Sequence, residues 1–319
     1  MTQRSPKPFS VTCVRPVTSP PTRLSMELNM NCRHWKKWSP FFLIMTLALQ
    51  GAAWAGSTTT VNITSSGQTR EFISYVPSSY DPATPTPLLF MMHGLLSSAA
   101  SAAAPNGPYR WQTLADQEGF IVLFPNSYQD DSWDMNQADA NFVRDMIDWS
   151  IKNYNIRTSH IFTTGHSMGG FFSYYIAVQL RNDLHPVAAF AEHSGGLFFN
   201  LWPTPVPFDS SDLAGLLIHS SGDSVVPYSA SEALHNRLLA ADHTSQLITL
   251  PANRDHNWDR SLNETQWDFF LANAQPDRTP EVPLFSGGFQ LMLACTILCS
   301  SFWFFSRNRS HQLKQSSTI

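Results

Sequence analysis

Between residues 57 and 275, short apolar runs alternate with longer amphipathic ones. This rhythm limits the chain more than any other feature. Runs of five or six residues rich in branched and aromatic side chains suit strands buried on both faces. The longer stretches between them suit crossover helices. Strands are expected at 60–64, 71–76, 88–92, 120–124, 160–164, 187–191, 214–219 and 246–250. Helices are expected at 111–118, 140–153, 168–180, 231–240 and 264–272. Alternation of this kind predicts a mostly parallel central sheet with helices on both faces. The first two strands have no helix between them, so they are expected as an antiparallel hairpin at the edge. Asn263, with Gln266 three residues on, has the pattern of a cap for the last helix.

Gly165-His166-Ser167-Met168-Gly169 follows the fifth expected strand and opens a helix. Gly-x-Ser-x-Gly in that setting predicts a nucleophile elbow. The turn is tight enough that side chains two residues before and after the serine would clash, which explains Gly165 and Gly169. The serine oxygen then stands clear at the strand's C-terminal end. A serine alcohol needs a base to become a nucleophile, and on this architecture the order along the chain is serine, acid, histidine.

Asp223 lies on a turn just past the strand 214–219, at the sheet edge that carries the serine, so it is the candidate acid. Asp209 and Asp212 precede that strand and would sit at the opposite edge. Among the later histidines, His235 falls within an expected helix on its solvent side and His243 closes that helix. His311 lies in the C-terminal tail. His256 follows the last expected strand on a loop at the active edge, with Trp258 beside it, and is the candidate base. Two amide N–H groups are expected to form an oxyanion hole. One is that of Met168. The other is that of Leu95, after a turn at Gly94. His93, His166 and Trp258 are candidates to line the substrate cleft; for the two histidines a structural role, His93 bracing its loop and His166 the elbow, is the favoured reading. These features predict an α/β-hydrolase fold.

At this point the residues resemble the polyhydroxybutyrate depolymerase and feruloyl esterase-like family of secreted α/β-hydrolases. The resemblance runs through Pro87 to Gly94, Leu114-Ala115-Asp116, Gly119 to Val122, and Pro125-Asn126. It continues through Asp139 and Phe142, His219 to Tyr228, and His256 with Trp258. It covers roughly residues 70–270. It implies ester hydrolysis through an acyl-enzyme without a cofactor or metal, on a small-molecule or polymer ester. Two features depart from the family. His166 precedes the serine, and the loop after Gly94 has no cysteine. No polymer-binding module accompanies the domain, which points away from solid polyester. A serine peptidase on the same fold is the alternative reading. A binding protein that keeps the scaffold without catalysis is another.

Composition bounds the rest. The 319 residues are 43% hydrophobic and 14% charged, with a net charge of −4. No basic stretch lies in the expected catalytic domain, 56–274, which excludes nucleic acid as an expected partner. The four cysteines are Cys13, Cys32, Cys295 and Cys299, so that region has none. Residues 1–55 read as an extension followed by a secretory signal: Arg33, Lys36 and Lys37, an apolar run from Phe41 to Leu49, then Ala53-Trp54-Ala55. Cleavage is expected before Gly56. Met26 and Met30 are alternative starts. Residues 275–288 are expected as a linker containing Gly287-Gly288, and 289–319 as a membrane span with a basic tail. That order resembles bacterial sorting signals cut by a rhomboid-type protease; a permanent anchor is the alternative. The expected location is therefore exported, at the periplasmic or extracellular face.

Overall fold

The computed structural model describes residues 56–276, apart from 129–130, 136, 198–206 and 208–212. The expected signal, the linker beyond residue 276, the C-terminal span, Asp209 and Asp212 lie outside the described residues. Among those described, no helix is long and apolar enough to cross a membrane.

Eight strands form one sheet: β1 (Ser57–Ser65), β2 (Gln68–Val76), β3 (Thr86–Met92), β4 (Ile121–Pro125), β5 (Ile156–His166), β6 (Ala189–His193), β7 (Ala214–Ser220) and β8 (Thr244–Leu250). Their order is β1-β2-β4-β3-β5-β6-β7-β8. β1 and β2 are the expected antiparallel hairpin. Ser66 and Gly67 join them, both at positive φ (49° and 78°), as a two-residue hairpin turn with the twist of its strands requires. β2 meets β4 antiparallel, and the remaining pairings are parallel.

The described residues form the α-helices α1 (Ala99–Ala102), α2 (Trp111–Glu118), α3 (Gln137–Asn153), α4 (Met168–Leu180), α5 (Ser229–Ala240) and α6 (Asn263–Ala272). Alternate residues of each strand face opposite sides of a sheet, and the core divides accordingly. Leu88, Phe90 and Met92, with Ile121, Leu123 and Leu217, pack against α3, α4 and α5. Leu89 and Met91, with Val122, Phe124, Leu216 and Ile218, pack against α1, α2 and α6. Leu88–Met92 of β3 and Ile121–Phe124 of β4 are therefore apolar on both faces. Each fully buried Leu, Ile, Val or Phe contributes about 1.5–3 kcal/mol. The two layers on a mostly parallel sheet give the α/β-hydrolase fold.

Polar pins set α3 and α6. Arg70 on β2 is 6% exposed and pairs with the fully buried Asp139 at 2.7 Å. Its guanidinium also donates to the Asn126 carbonyl and lies 4.1 Å from the Phe142 ring centre. The expected cap of α6 is corrected. Asn263 is already the first helical residue, and no side chain caps the helix. Its amide group instead bridges Trp258 Nε1 and the Tyr109 carbonyl, while Gln266 accepts from Thr164 Oγ1. Both side chains look inward because the rim of the sheet leaves polar groups there to satisfy.

Candidate active site

Because β3 and β5 to β8 are parallel, their C-terminal ends share one edge, where ligands of open α/β sheets bind. At that edge β5 turns directly into α4 through Ser167, which has φ 55° and ψ −120°. Few non-glycine residues adopt positive φ. The turn is held by hydrogen bonds from Ser167 N to the His193 carbonyl (2.8 Å) and from Gly170 N to the Ser167 carbonyl (2.9 Å). A methyl group at Gly165 would overlap the Gly169 backbone, and one at Gly169 would overlap the Met92 and His93 carbonyls. Both glycines are thus required by backbone contact.

Asp223 lies past β7 and His256 past β8. Nδ1 of His256 donates to Asp223 Oδ2 at 2.7 Å. The Asp223 side chain is fully buried and the His256 side chain is 16% exposed. Asp223 Oδ1 accepts the amides of Val225 and Val226 at 2.9 and 2.8 Å. Burial opposes the charge of Asp223. The hydrogen bonds from His256 and the two amides outweigh it and hold the carboxyl below its ordinary range. The His256 ring centre is 4.9 Å from that of His166, the residue before Ser167. Three segments distant in the chain therefore meet at one rim.

On the other flank, the position a Gly94 side chain would take is 3.7 Å from Ser167 Cβ, so Gly94 leaves space in front of the serine. In the loop that follows Gly94, Leu96 is left-handed, φ 59°. Leu96 N donates to the Asp131 carbonyl at 2.8 Å, which fixes the loop, and Gly94 is the residue of it that lies against the elbow. Met168 opens α4, so its N–H has no carbonyl acceptor within the helix.

A family model for phospholipases and carboxylesterases matches residues 103–268, a span that includes the elbow and both loops. The chain belongs to the phospholipase/carboxylesterase family. A bifunctional acetylxylan esterase/xylanase from Neocallimastix patriciarum is 34% identical over 170 residues, 52% of this chain and 23% of that protein. Acetylxylan esterase A of Talaromyces purpureogenus is 27% identical over 154 residues, 45% of this chain and 39% of that one. The chain thus spans well under two thirds of these relatives. A crystallised CE1 ferulic acid esterase from Anaeromyces mucronatus shares the fold, with a TM-score of 0.54 and 17% identity over 68% of this chain and 90% of that one.

In this carboxylesterase-family chain the cleft candidates separate. His93 is fully buried. Its Nδ1 is 2.8 Å from the Gly94 carbonyl, and its Nε2 accepts the Ser127 amide. Trp133 packs on its ring and donates to its carbonyl. It braces the loop and offers no surface to a substrate, which corrects its place among the cleft candidates. His166 stays near the serine, and burial, then the charge of His256, push it down to about 3. Trp258 is half-buried, stacked on His193 with centres 4.9 Å apart and edge-on to Tyr109 at 5.0 Å. Sequence reasoning missed Tyr109, Trp133 and His193. It also missed Glu192 and Ser231, which lie behind Asp223. None has a local motif. His193 was marked only by its place at the end of an apolar strand, where polar residues face the rim. Among the described residues no group of three or more His, Cys, Asp or Glu is placed to hold a metal ion.

Proposed function

We propose that the chain is a serine esterase that cleaves carboxylic esters through an acyl-enzyme. The observation that carries this reading is the 2.7 Å bond from His256 Nδ1 to a buried carboxylate, beside the strained serine. With Nδ1–H committed to Asp223, Nε2 of His256 is the bare nitrogen available for the Ser167 proton. Ser167 attacks the ester carbonyl as His256 takes that proton. The amides of Leu95 and Met168 receive the oxyanion, and the N-terminus of α4 favours its charge. His256 returns the proton to the leaving alcohol. Water repeats the sequence, releases the acid and frees Ser167.

The named relatives act on acetylated xylan or on ferulic acid esters, so we place the substrate among acyl esters of saccharides, acetyl esters first. The half-buried Trp258 suits the flat face of a sugar or of a hydroxycinnamoyl group. Residues 33–55 support export, with mature protein beginning at Gly56.

The test is a panel of acetyl, hydroxycinnamoyl and hydroxybutyrate esters offered to wild type and Ser167→Ala. Wild type is expected to turn over acetyl esters fastest. The variant is expected to lose about 10³-fold or more in kcat. Equal turnover by the two proteins would reject the mechanism.

A further inference from the structure

Asp223 has a second imidazole behind it. Nε2 of His219, on β7, lies 3.2 Å from Asp223 Oδ2 and 3.0 Å from the Val226 carbonyl. Both neighbours only accept, so this nitrogen carries a proton. Nδ1 of His219 lies 2.8 Å from Ser231 Oγ on α5. Ser231 Oγ is also 3.1 Å from Glu192 Oε1 and 3.2 Å from the Gly195 carbonyl. His219, Ser231 and Glu192 are each fully buried.

Counting protons narrows the possibilities. A neutral His219 with Nε2–H has a bare Nδ1, which must accept the single proton of Ser231. Ser231 Oγ then has only lone pairs left for Glu192. Toward Ser231, the carboxyl of Glu192 then makes a favourable contact only as the protonated, donating form; the Gly196 N–H, its other partner, donates to it and favours the anion, against burial, which favours the acid. The same distances would fit a His219 cation and a Glu192 anion, but that places two charges in a site closed to water. Glu192 Oε2 has no hydrogen-bond partner.

Among the described residues, burial and hydrogen bonds from Ser231 and Gly196, and no cation, set the charge of Glu192. Gly195 and Gly196 face it from the loop after β6, Gly170 from α4, and Ser231 from α5. Gly165 and Leu217 are its strand neighbours. Tyr174 on α4 is the ionisable group that senses its charge, and His193 follows it in the chain. Burial raises the Glu192 carboxyl to about 8 and lowers His219. Both shifts favour the neutral arrangement.

We propose that Glu192 is a neutral hydrogen-bond donor heading a buried chain, Glu192–Ser231–His219, that fixes the Nε2–H of His219 on Asp223. The three are positioning residues: they touch no substrate and act by holding the acid that orients His256. The inference rests on the assignment of Asp223 and His256 given above.

The experiment compares kcat and KM for nitrophenyl acetate in wild type, Glu192→Gln, Glu192→Met and Ser231→Ala, with the low-field proton resonance of His256 Nδ1–H. Glutamine keeps a donor for Ser231, so E192Q is expected to keep kcat within about threefold, with the resonance in place. E192M and S231A are expected to lose about tenfold or more in kcat at unchanged KM, with the resonance shifted. An E192Q variant as impaired as E192M would overturn the proposal, because charge would then be what matters. Wild-type kcat in both E192M and S231A would overturn it as well. Carbon NMR of the Glu192 carboxyl in wild type needs no folded variant. A protonated carboxyl at pH 7, ionising near pH 8, is expected; an ionised one at pH 6 overturns the proposal. Ser167→Ala and His256→Ala run alongside. If they retain turnover, the triad assignment fails, while the carboxyl resonance still reports on Glu192.

Discussion

The elbow and the acid–base side of the site are built in different ways. The elbow is a piece of backbone. β5, Ser167 and α4 are continuous in the chain, and neighbouring carbonyls leave no room for a side chain at Gly165 or Gly169. The acid–base side is made of two loops, after β7 and after β8, joined by side-chain hydrogen bonds. Parallel strands bring those loops to the same edge, and polar groups do the final alignment. The contrast separates what steric fit enforces from what hydrogen bonding enforces. The first should fail through folding and the second through chemistry.

The largest effect is expected at the elbow. Gly165→Ala forces a methyl group into the Gly169 backbone, where no flexible side chain can yield. It is expected to lower stability by about 4 kcal/mol or more. Urea denaturation read by circular dichroism checks this. A folded, wild-type-like Gly165→Ala protein would remove the steric half of the contrast.

Asp223→Asn should do the opposite, keeping the fold and losing the chemistry. The amide presents the wrong hydrogen-bonding pattern to His256, and kcat is expected to fall about 10³- to 10⁴-fold in a protein that still folds at neutral pH. Acid titration sharpens this. The hydrogen bonds from His256 and two amides hold the folded carboxyl of Asp223 below the ordinary carboxylate range, so its ionised form stabilises the fold. That contribution is complete above the unfolded value and is lost as pH falls through the folded one. Asp223→Asn should lack this component of acid unfolding, which melts between pH 2 and about 6 would show.

A smaller effect, on stability alone, is expected where a buried polar pair serves no chemistry. Arg70→Met leaves the Asp139 carboxylate buried without its cation and is expected to cost about 3–5 kcal/mol. The protein that remains folded should keep its kcat. Loss of kcat in proportion to stability would show that α3 and the active edge are coupled.

The same contrast explains what could be read from the sequence. Eight strands and five helices are legible because the apolar periods are local, and the elbow because its glycines are adjacent to the serine they serve. Asp223 and His256 could be picked out by chain order and by position after a strand, without knowledge of their distance. Asn263 and Gln266 matched a cap pattern, yet tertiary partners, Trp258, Tyr109 and Thr164, claimed their side chains. The loop after β3 has its left-handed residue at Leu96, two positions after Gly94, where Leu96 N donates to the Asp131 carbonyl, a partner that no local pattern marks. Glu192, His219 and Ser231 converge only through the register of β6 on β7 and the docking of α5. No spacing along the chain encodes that meeting. Four-residue α1, capped by Ser98, was too short for any period to register.

Fluorophosphonate labelling followed by peptide mapping addresses the heart of the mechanism. The expected outcome is one adduct, on the hydroxyl at 167, formed about a hundredfold or more slowly when His256 is replaced by Ala. An adduct at another residue, or a His256→Ala protein labelled at the wild-type rate, would contradict it.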